Sequence, residues 1–283
     1  MEPGIYTMSD RDYFADPAVD QSALKKYLES PKAYASYRTE DHESSNTLEF
    51  GKAAHSIALG SGPAVLTRPD LRTKAGKLAY QAVLAEHDGE DVVWVSASDL
   101  ERLHRMEEEI SPVFASLKGE PEQALFASMN GVACKGKIDW LPLEPDEDGV
   151  LRLVDYKTTG DKLADFPMSA VRYGYHIQAA FYMRLYRYTH PRYHAPLGFT
   201  FIVQQKTPPY DWARFTFDED SPEITEIANP TIDHALRGIA WFQTNHADPL
   251  AAMRGWGVDK TPRKLRFPDW KLLELEEEIS SWR

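Results

Sequence analysis

The chain has 283 residues, 42% hydrophobic and 27% charged, enough for one large domain and too apolar for an intrinsically disordered chain. No apolar run approaches the ~20 residues that cross a bilayer, and Met1-Glu2-Pro3-Gly4 lacks the basic and apolar regions of a signal peptide. The lone Cys134 excludes a disulfide scaffold, a cysteine-rich zinc site or a four-cysteine iron–sulfur cluster within one chain, so a reducing cytoplasm is the expected compartment. The formal net charge of −12 argues against a histone-like coat on a polyanion. It does not argue against an enzyme whose positive charge is confined to a groove.

In chain order, residues 22–37 read as helical, with Asp20 or Ser22 as the cap. Pro31 either interrupts that run or opens a second helix capped by Ser30. Residues 47–59 form another helical pattern, stopped by Gly60-Ser61-Gly62-Pro63. Residues 62–76 read as irregular and 92–95 as a short β-segment. Residues 98–117 form an amphipathic helix, with Leu100, Leu103, Met106 and Ile110 at helical spacing. Three strands follow, 123–129, 132–141 and 151–157, the first two joined by the hairpin signal Asn130-Gly131. Residues 167–188 predict one long helix, 198–205 and 213–217 two strands, 222–245 a largely helical stretch, and 272–280 a short last helix. This order predicts an α/β fold, a central mixed sheet flanked by helices. It divides into a mainly helical part (1–117), a sheet-and-helix core (118–220) and a C-terminal helical part (221–283) of one domain.

The chemistry concentrates in two strands. Gly136-Lys137-Ile138-Asp139-Trp140 is followed, sixteen residues after Asp139, by Asp155-Tyr156-Lys157. Strand side chains alternate faces, so Asp155 and Lys157 share one face, and Ala133, Lys135, Lys137 and Asp139 share another. If Asp139 lies beside Asp155 and Lys157, two carboxylates and an ammonium converge. The carboxylates suit a hard divalent cation, and the backbone carbonyl of Tyr156 adds an oxygen ligand. The ammonium suits orienting a water or stabilising charge at a reacting phosphate. Lys135 and Lys137 beside the acid suit a path for a phosphate backbone. An Asp-x-Lys on a strand is by itself more commonly a surface ion pair; the acid upstream at hairpin distance gives it weight.

With these residues in view, the chain resembles the PD-(D/E)XK nuclease superfamily, and within it the RecE-like (exodeoxyribonuclease VIII) branch, with lambda exonuclease and the RecB nuclease domain as more distant relatives. The resemblance rests on five segments in order: Phe50-Gly51-Lys52-Ala53-Ala54-His55; Glu122-Gln123-Ala124-Leu125-Phe126; Cys134 to Trp140; Val154-Asp155-Tyr156-Lys157-Thr158-Thr159; and Tyr175-His176-Ile177-Gln178-Ala179-Ala180-Phe181-Tyr182. It implies a restriction-endonuclease-like core and a Mg²⁺-dependent deoxyribonuclease, with Mn²⁺ as a substitute. The likeness implies metal contacts from His55, Asp139, Asp155 and the Tyr156 carbonyl, with Lys157 acting on water. Gln178 would assist and Tyr182 support a phosphate contact. Without the resemblance His55, among Ala54, Ile57 and Leu59, reads as a satisfied core residue, and Glu122 reads equally as a site acid or a strand-edge surface acid.

Further DNA contacts are expected from Ser22 and Lys25 on the N-terminal helix and from Lys206, which resembles a recurring family lysine. Arg72, Lys74 and Lys77 read as a backbone clamp or as ordinary solvated charges. His42, His87 and His104 take no role. The resemblance also implies removal of 5′ nucleotides from duplex ends to leave 3′ tails for recombination. It further implies a toroidal homo-oligomer, a single-strand annealing protein as partner, a bacterial or phage origin, and a free-standing nuclease domain. A flap or single-strand nuclease of the same fold, or a catalytically silent DNA-binding module, remain the alternatives.

Overall fold

The computed structural model describes residues 1–40, 46–87 and 91–281; His42 lies outside them. The chain begins with β1 (Gly4–Thr7), α1 (Asp10–Ala15), α2 (Gln21–Glu29) and α3 (Pro31–Thr39). Asp20 caps α2 by accepting from the Ala23 N–H at 2.8 Å, and Ser30 caps α3 by accepting from the Ala33 N–H at 3.0 Å. Pro31 sits in the first turn of α3, where no N–H is needed, so the helical run is two helices. Next come α4 (Asn46–Leu59), β2 (Ala64–Thr67), α5 (Lys74–Glu86), β3 (Val92–Val95) and α6 (Ala97–Ser116). The core strands are β4 (Gly119–Met129), β5 (Val132–Pro142) and β6 (Leu151–Thr159), followed by α7 (Phe166–Tyr173), α8 (Tyr175–Thr189), β7 (Leu197–Gln205) and β8 (Trp212–Asp218). A π-helical segment, Glu223–Ala228, leads into α9 (Asn229–Asn245), α10 (Pro249–Arg254) and α11 (Asp269–Ser281).

The architecture is α/β, with a mixed central sheet flanked by helices. Six strands lie in the order β1-β4-β5-β6-β7-β8. Within this sheet β6 and β7 are the parallel pair, and α7 and α8 form the crossover that a parallel pair requires. The β4–β5 hairpin turns at Asn130 and Gly131, both with positive φ (52° and 80°), as a tight hairpin turn demands. One face of the sheet packs Leu125, Leu153, Phe199 and Phe201 against Phe181 and Leu185 of α8 and Ile232 and Leu236 of α9. The other packs Val154, Tyr156 and Ile202 against Phe50 of α4 and Leu103, Ile110 and Phe114 of α6. β7 is covered on both faces, so it reads as a near-continuous apolar run.

Two expectations are corrected, and one helix was not foreseen. Residues 62–76 are not irregular throughout: β2 pairs in parallel with β3 as a small second sheet. α5 buries none of its side chains, so no one-sided apolar pattern announced it. The long helix expected over 167–188 is two helices, broken at Gly174, whose φ of +64° is a left-handed C-cap. Among the described residues, no helix is long and apolar enough to cross a membrane.

Candidate metal centre and active site

The site is built where β5 and β6 part. The two strands pair at Trp140↔Val154, and on the Asp139 side the ladder is not continued. Instead Oδ2 of Asp139 accepts the Tyr156 backbone N–H at 2.7 Å, so a side chain takes the place of a strand partner. In extended backbone the carbonyl of a residue points to the same edge as its N–H, so the Tyr156 carbonyl also faces the opening.

Alternation brings different groups to the two sides of that opening. Gly136 and Ile138 of β5 face α8: a Cβ on Gly136 would lie 2.7 Å from the Tyr182 ring, and Ile138 belongs to the core beneath α8. Lys135, Lys137 and Asp139 therefore face the other way, toward α1 and α4. On β6, Tyr156 faces α6 while Asp155 faces α8, where its Oδ1 accepts from Gln178 Nε2 at 2.5 Å. Asp139 and Asp155 thus border the same gap, near enough for the charge of Asp139 to act on Asp155.

On the α4 side, His55, Glu122 and Asp139 bring one ligand atom each to within 4.8 Å of one another. His55 Nδ1 lies 3.2 Å from Asp139 Oδ2. Glu122 stands opposite Asp139, between the pairs Pro121↔Trp140 and Gln123↔Ile138. Its φ of +56° is a left-handed conformation that a glutamate rarely adopts, and such strain gathers at functional sites. Opposed carboxylates repel across a strand pair. Here Lys137 offsets the repulsion by pairing with Glu122 and, at 2.6 Å, with Asp10 of α1. An imidazole nitrogen, two carboxylates and an excess of negative charge fit a divalent cation, and His55, Glu122 and Asp139 are the residues that would hold it.

On the α8 side, Asp155 is buried between Gln178 and Lys157, whose Nζ lies 2.5 Å from Asp155 Oδ2. The Lys157 ammonium also sits 5.3 Å above the Tyr175 ring. Asp155 borders the opening but stands outside the His55–Glu122–Asp139 trio; its Oδ1 accepts from Gln178, and its Oδ2 faces Lys157 as an ion pair without a hydrogen bond. The two acids are driven apart in acidity. Burial raises the pKa of Asp155, with the Asp139 charge adding to it against the pull of Lys157. Burial would raise Asp139 too, but His55, Lys157 and the Tyr156 N–H outweigh it and hold the carboxyl below its usual range. Burial works against the charged forms of Lys157 and His55, yet the facing carboxylates prevail and both pKa values rise. Burial raises Glu122, Lys137 notwithstanding.

A cleft of about 570 Å³ opens over these groups and is lined by Ser22, Lys52, His55, Glu122, Asp139, Lys157, Tyr182 and Lys206, among others. Of the cations expected to touch DNA, Lys137 and Lys206 therefore line the cleft. Lys25 lies behind it, its Nζ donating to the Tyr173 carbonyl at 3.0 Å. Lys135 is corrected: it is 2% exposed, donates to the carbonyls of Tyr13 and Asp16 at 2.5 and 2.8 Å, and stacks its ammonium on the Tyr13 ring. It tethers the C-terminal end of α1 instead of lining a DNA path. Lys137 likewise has its ammonium engaged by two carboxylates. Arg72 is exposed and tied to Asp70, and neither it nor Lys74 nor Lys77 lines the cleft. Sequence reasoning missed Asp10, which carries no local signal. It also missed Lys52, although a lysine three residues before His55 on one helix was legible as a neighbour on the same face.

Comparison with known proteins agrees with this geometry. The profile of the family described as "PDDEXK-like domain of unknown function (DUF3799)" matches residues 20–252. No curated protein matches. Among solved structures, the chain is similar to the crystal structure of a "putative exonuclease" from Eubacterium rectale, with a TM-score of 0.57 over 93% of this chain and 96% of that one; at 13% identity this is a likeness of fold. A second structure, of the protein SSO0001, aligns with 81% of this chain and 87% of that one at 14% identity, and its TM-score of 0.30 carries no argument. With its profile match spanning β4 to β8, the acidic pair and the Gln178 helix, the chain belongs to this PDDEXK-like family.

Proposed function

We propose that the protein is a metal-dependent deoxyribonuclease that hydrolyses phosphodiester bonds from duplex DNA ends. The observation that carries this reading is the placement of Asp139 at the β5–β6 gap, against His55, opposite Glu122, and across from the Asp155–Lys157–Gln178 cluster. A bound divalent cation, Mg²⁺ with Mn²⁺ substituting, would polarise the phosphate and lower the pKa of a water. His55, Glu122 and Asp139 would hold it, and Asp155 and the Tyr156 carbonyl offer further oxygens beside them. Lys157, kept protonated by Asp155 and Asp139, donates hydrogen bonds to a phosphate oxygen or to the attacking water and stabilises developing negative charge. A lysine held protonated does not abstract the proton, so its role is orientation and charge. Gln178 fixes the Asp155 carboxylate. Tyr182, Lys206 and Ser22 line the cleft where the phosphate backbone would pass.

The finer reading rests on the resemblance to the RecE-like branch and on the fold likeness to a protein described as an exonuclease. It comprises digestion from 5′ to 3′, 3′ single-stranded tails for recombination, a toroidal homo-oligomer, an annealing protein as partner and a cytoplasmic site of action in a bacterium or phage-infected cell. A ring would gather the few cleft cations of an acidic chain around the duplex. The test is incubation of the purified protein with Mg²⁺ and linear duplex labelled at one end or the other, beside flap and single-stranded substrates. Loss of the 5′ label as short products is expected. Loss of the 3′ label first reverses the polarity, preference for flaps or single strands replaces the duplex-end reading, and no cleavage with either Mg²⁺ or Mn²⁺ removes the nuclease reading.

A further inference from the structure

We infer that the exposed ring of Tyr173, at the C-terminal end of α7, is a stacking platform for unpaired nucleobases beside the catalytic centre. The inference rests on the nuclease reading above and adds to it a place where single-stranded DNA is held. α7 buries Phe166 and Ala170, one turn apart, against the sheet. Tyr173, at the C-terminal end of the helix, keeps its side chain at the surface with 52% exposure.

Its position says what it contacts. Tyr173 is the open end of an aromatic stack that begins in the core. Phe201 of β7 stacks on Tyr175 with ring centres 5.3 Å apart and planes at 29°, and Tyr175 meets Tyr173 at 5.8 Å and 35°. A flat base laid on the outer face of Tyr173 would continue the series, and every base has a π-face to offer. Cations flank the stack where phosphates joining such bases would run. Lys157 lies over the Tyr175 ring, Lys25 donates to the Tyr173 carbonyl, and the Arg172 guanidinium stands 5.6 Å from the Tyr173 ring. The left-handed Gly174 that ends α7 leads directly into α8, the helix that carries Gln178. The platform is therefore continuous with the site through Lys157, and its charge is opposite to that of a phosphate chain. Aromatic faces lined by cations hold single strands without regard to sequence.

The test uses a short single-stranded oligonucleotide carrying 2-aminopurine near one end, mixed with the full-length protein in Ca²⁺ so that binding is read without cleavage. Stacking on Tyr173 is expected to quench the fluorescence. Tyr173→Ala should abolish the quenching and weaken binding by about fivefold or more, the lower end for one base on one ring. Tyr173→Phe should retain both. Arg172→Glu, at a solvent-exposed position beside the Tyr173 ring, should weaken binding by repelling the phosphates and provides a readout if Tyr173→Ala does not fold. Quenching and affinity unchanged in Tyr173→Ala would overturn the inference. So would a change in oligomeric mass in that variant, which would make the face a contact between copies of the chain. If wild-type protein digests duplex but neither quenches nor binds the oligonucleotide, the platform is wrong and the nuclease reading stands. If it stacks the oligonucleotide but cleaves no DNA with any metal, the reverse holds.

Discussion

Asp139 accepts the backbone N–H of Tyr156 at 2.7 Å across the point where their strands separate. This one bond fixes a carboxylate of the candidate metal trio, leaves the neighbouring carbonyl at the opening, and keeps the two strands from closing the gap. Asp139→Asn preserves the shape and an acceptor for that N–H but removes the charge. We expect divalent-cation affinity by calorimetry to fall at least tenfold and cleavage by about 10²-fold or more, in the range for loss of a preorganised electrostatic group. The fold, followed by circular dichroism, should be retained. Wild-type metal affinity in this variant would exclude Asp139 as a ligand.

Asp155 and Lys157 separate catalysis from stability. Asp155→Asn keeps the contact with Gln178, and Lys157 retains the Asp139 charge and the Tyr175 ring as partners. It should cleave about 10²-fold or more slowly and lose less melting temperature than Lys157→Ala. Lys157→Ala strands the buried Asp155 carboxylate. Breaking a buried pair costs about 3–5 kcal/mol, so this variant should lose both activity and melting temperature. Normal digestion of linear duplex by either variant would refute their roles.

Lys25 yields a pH signature. Burial, with the Lys157 charge next, lowers its pKa from the usual lysine value to about 8. Below that pH the ammonium is charged in both the folded and unfolded chain, and its burial penalty is fully present. As pH rises beyond about 8 the folded chain releases the proton first, so the penalty is relieved and this site adds stability. Affinity for single-stranded DNA moves the other way, because the cation that pairs with phosphate is lost. Binding titrated across that pH should weaken with an inflection near the Lys25 value, and Lys25→Arg should flatten it. An unchanged inflection in Lys25→Arg would assign it to another group.

The parts of the fold legible in the sequence were those carried by local chemistry. Asn130-Gly131 announced its hairpin, Asp20 and Ser30 their caps, and the Asp-x-Lys strand its acid and lysine on one face. What was not legible depends on tertiary contact. Lys135 looks like any strand lysine until α1 covers it and supplies two carbonyls. Asp10 sits in a segment with no motif, and only the pairing of β1 with β4 delivers α1 to Lys137. Glu122 was recognised as a site acid or a surface acid with nothing to decide between them. Its left-handed backbone and its place opposite Asp139 exist only once β4 and β5 are paired. Gly174 broke a helix that apolar periodicity alone would have continued through it.

Gly136 shows a packing requirement inside a functional motif. A methyl there would lie 2.7 Å from the Tyr182 ring and 2.8 Å from Leu185 Cδ1, both on α8. Gly136→Ala should therefore push α8 off the sheet at a cost of about 1–3 kcal/mol. Because α8 carries Gln178, cleavage should fall along with the melting temperature. A variant as stable as wild type would mean that Tyr182 moves aside freely.

Lys137 makes a prediction of opposite sign for metal and for fold. Its ammonium is held by Asp10 and Glu122 and so competes with a cation for Glu122. Lys137→Met keeps the length and apolar stem of the side chain but leaves Asp10, Glu122 and Asp139 facing one another without their internal counter-charge. In the absence of metal those carboxylates repel, so the melting temperature in EDTA should fall. A divalent cation then relieves more repulsion than in the wild type and meets no competitor at Glu122. Its affinity by calorimetry should rise several-fold, and the melting temperature should recover on metal addition by more than in the wild type. A phosphate-binding lysine would behave differently: its loss would weaken DNA binding and leave metal affinity unmoved.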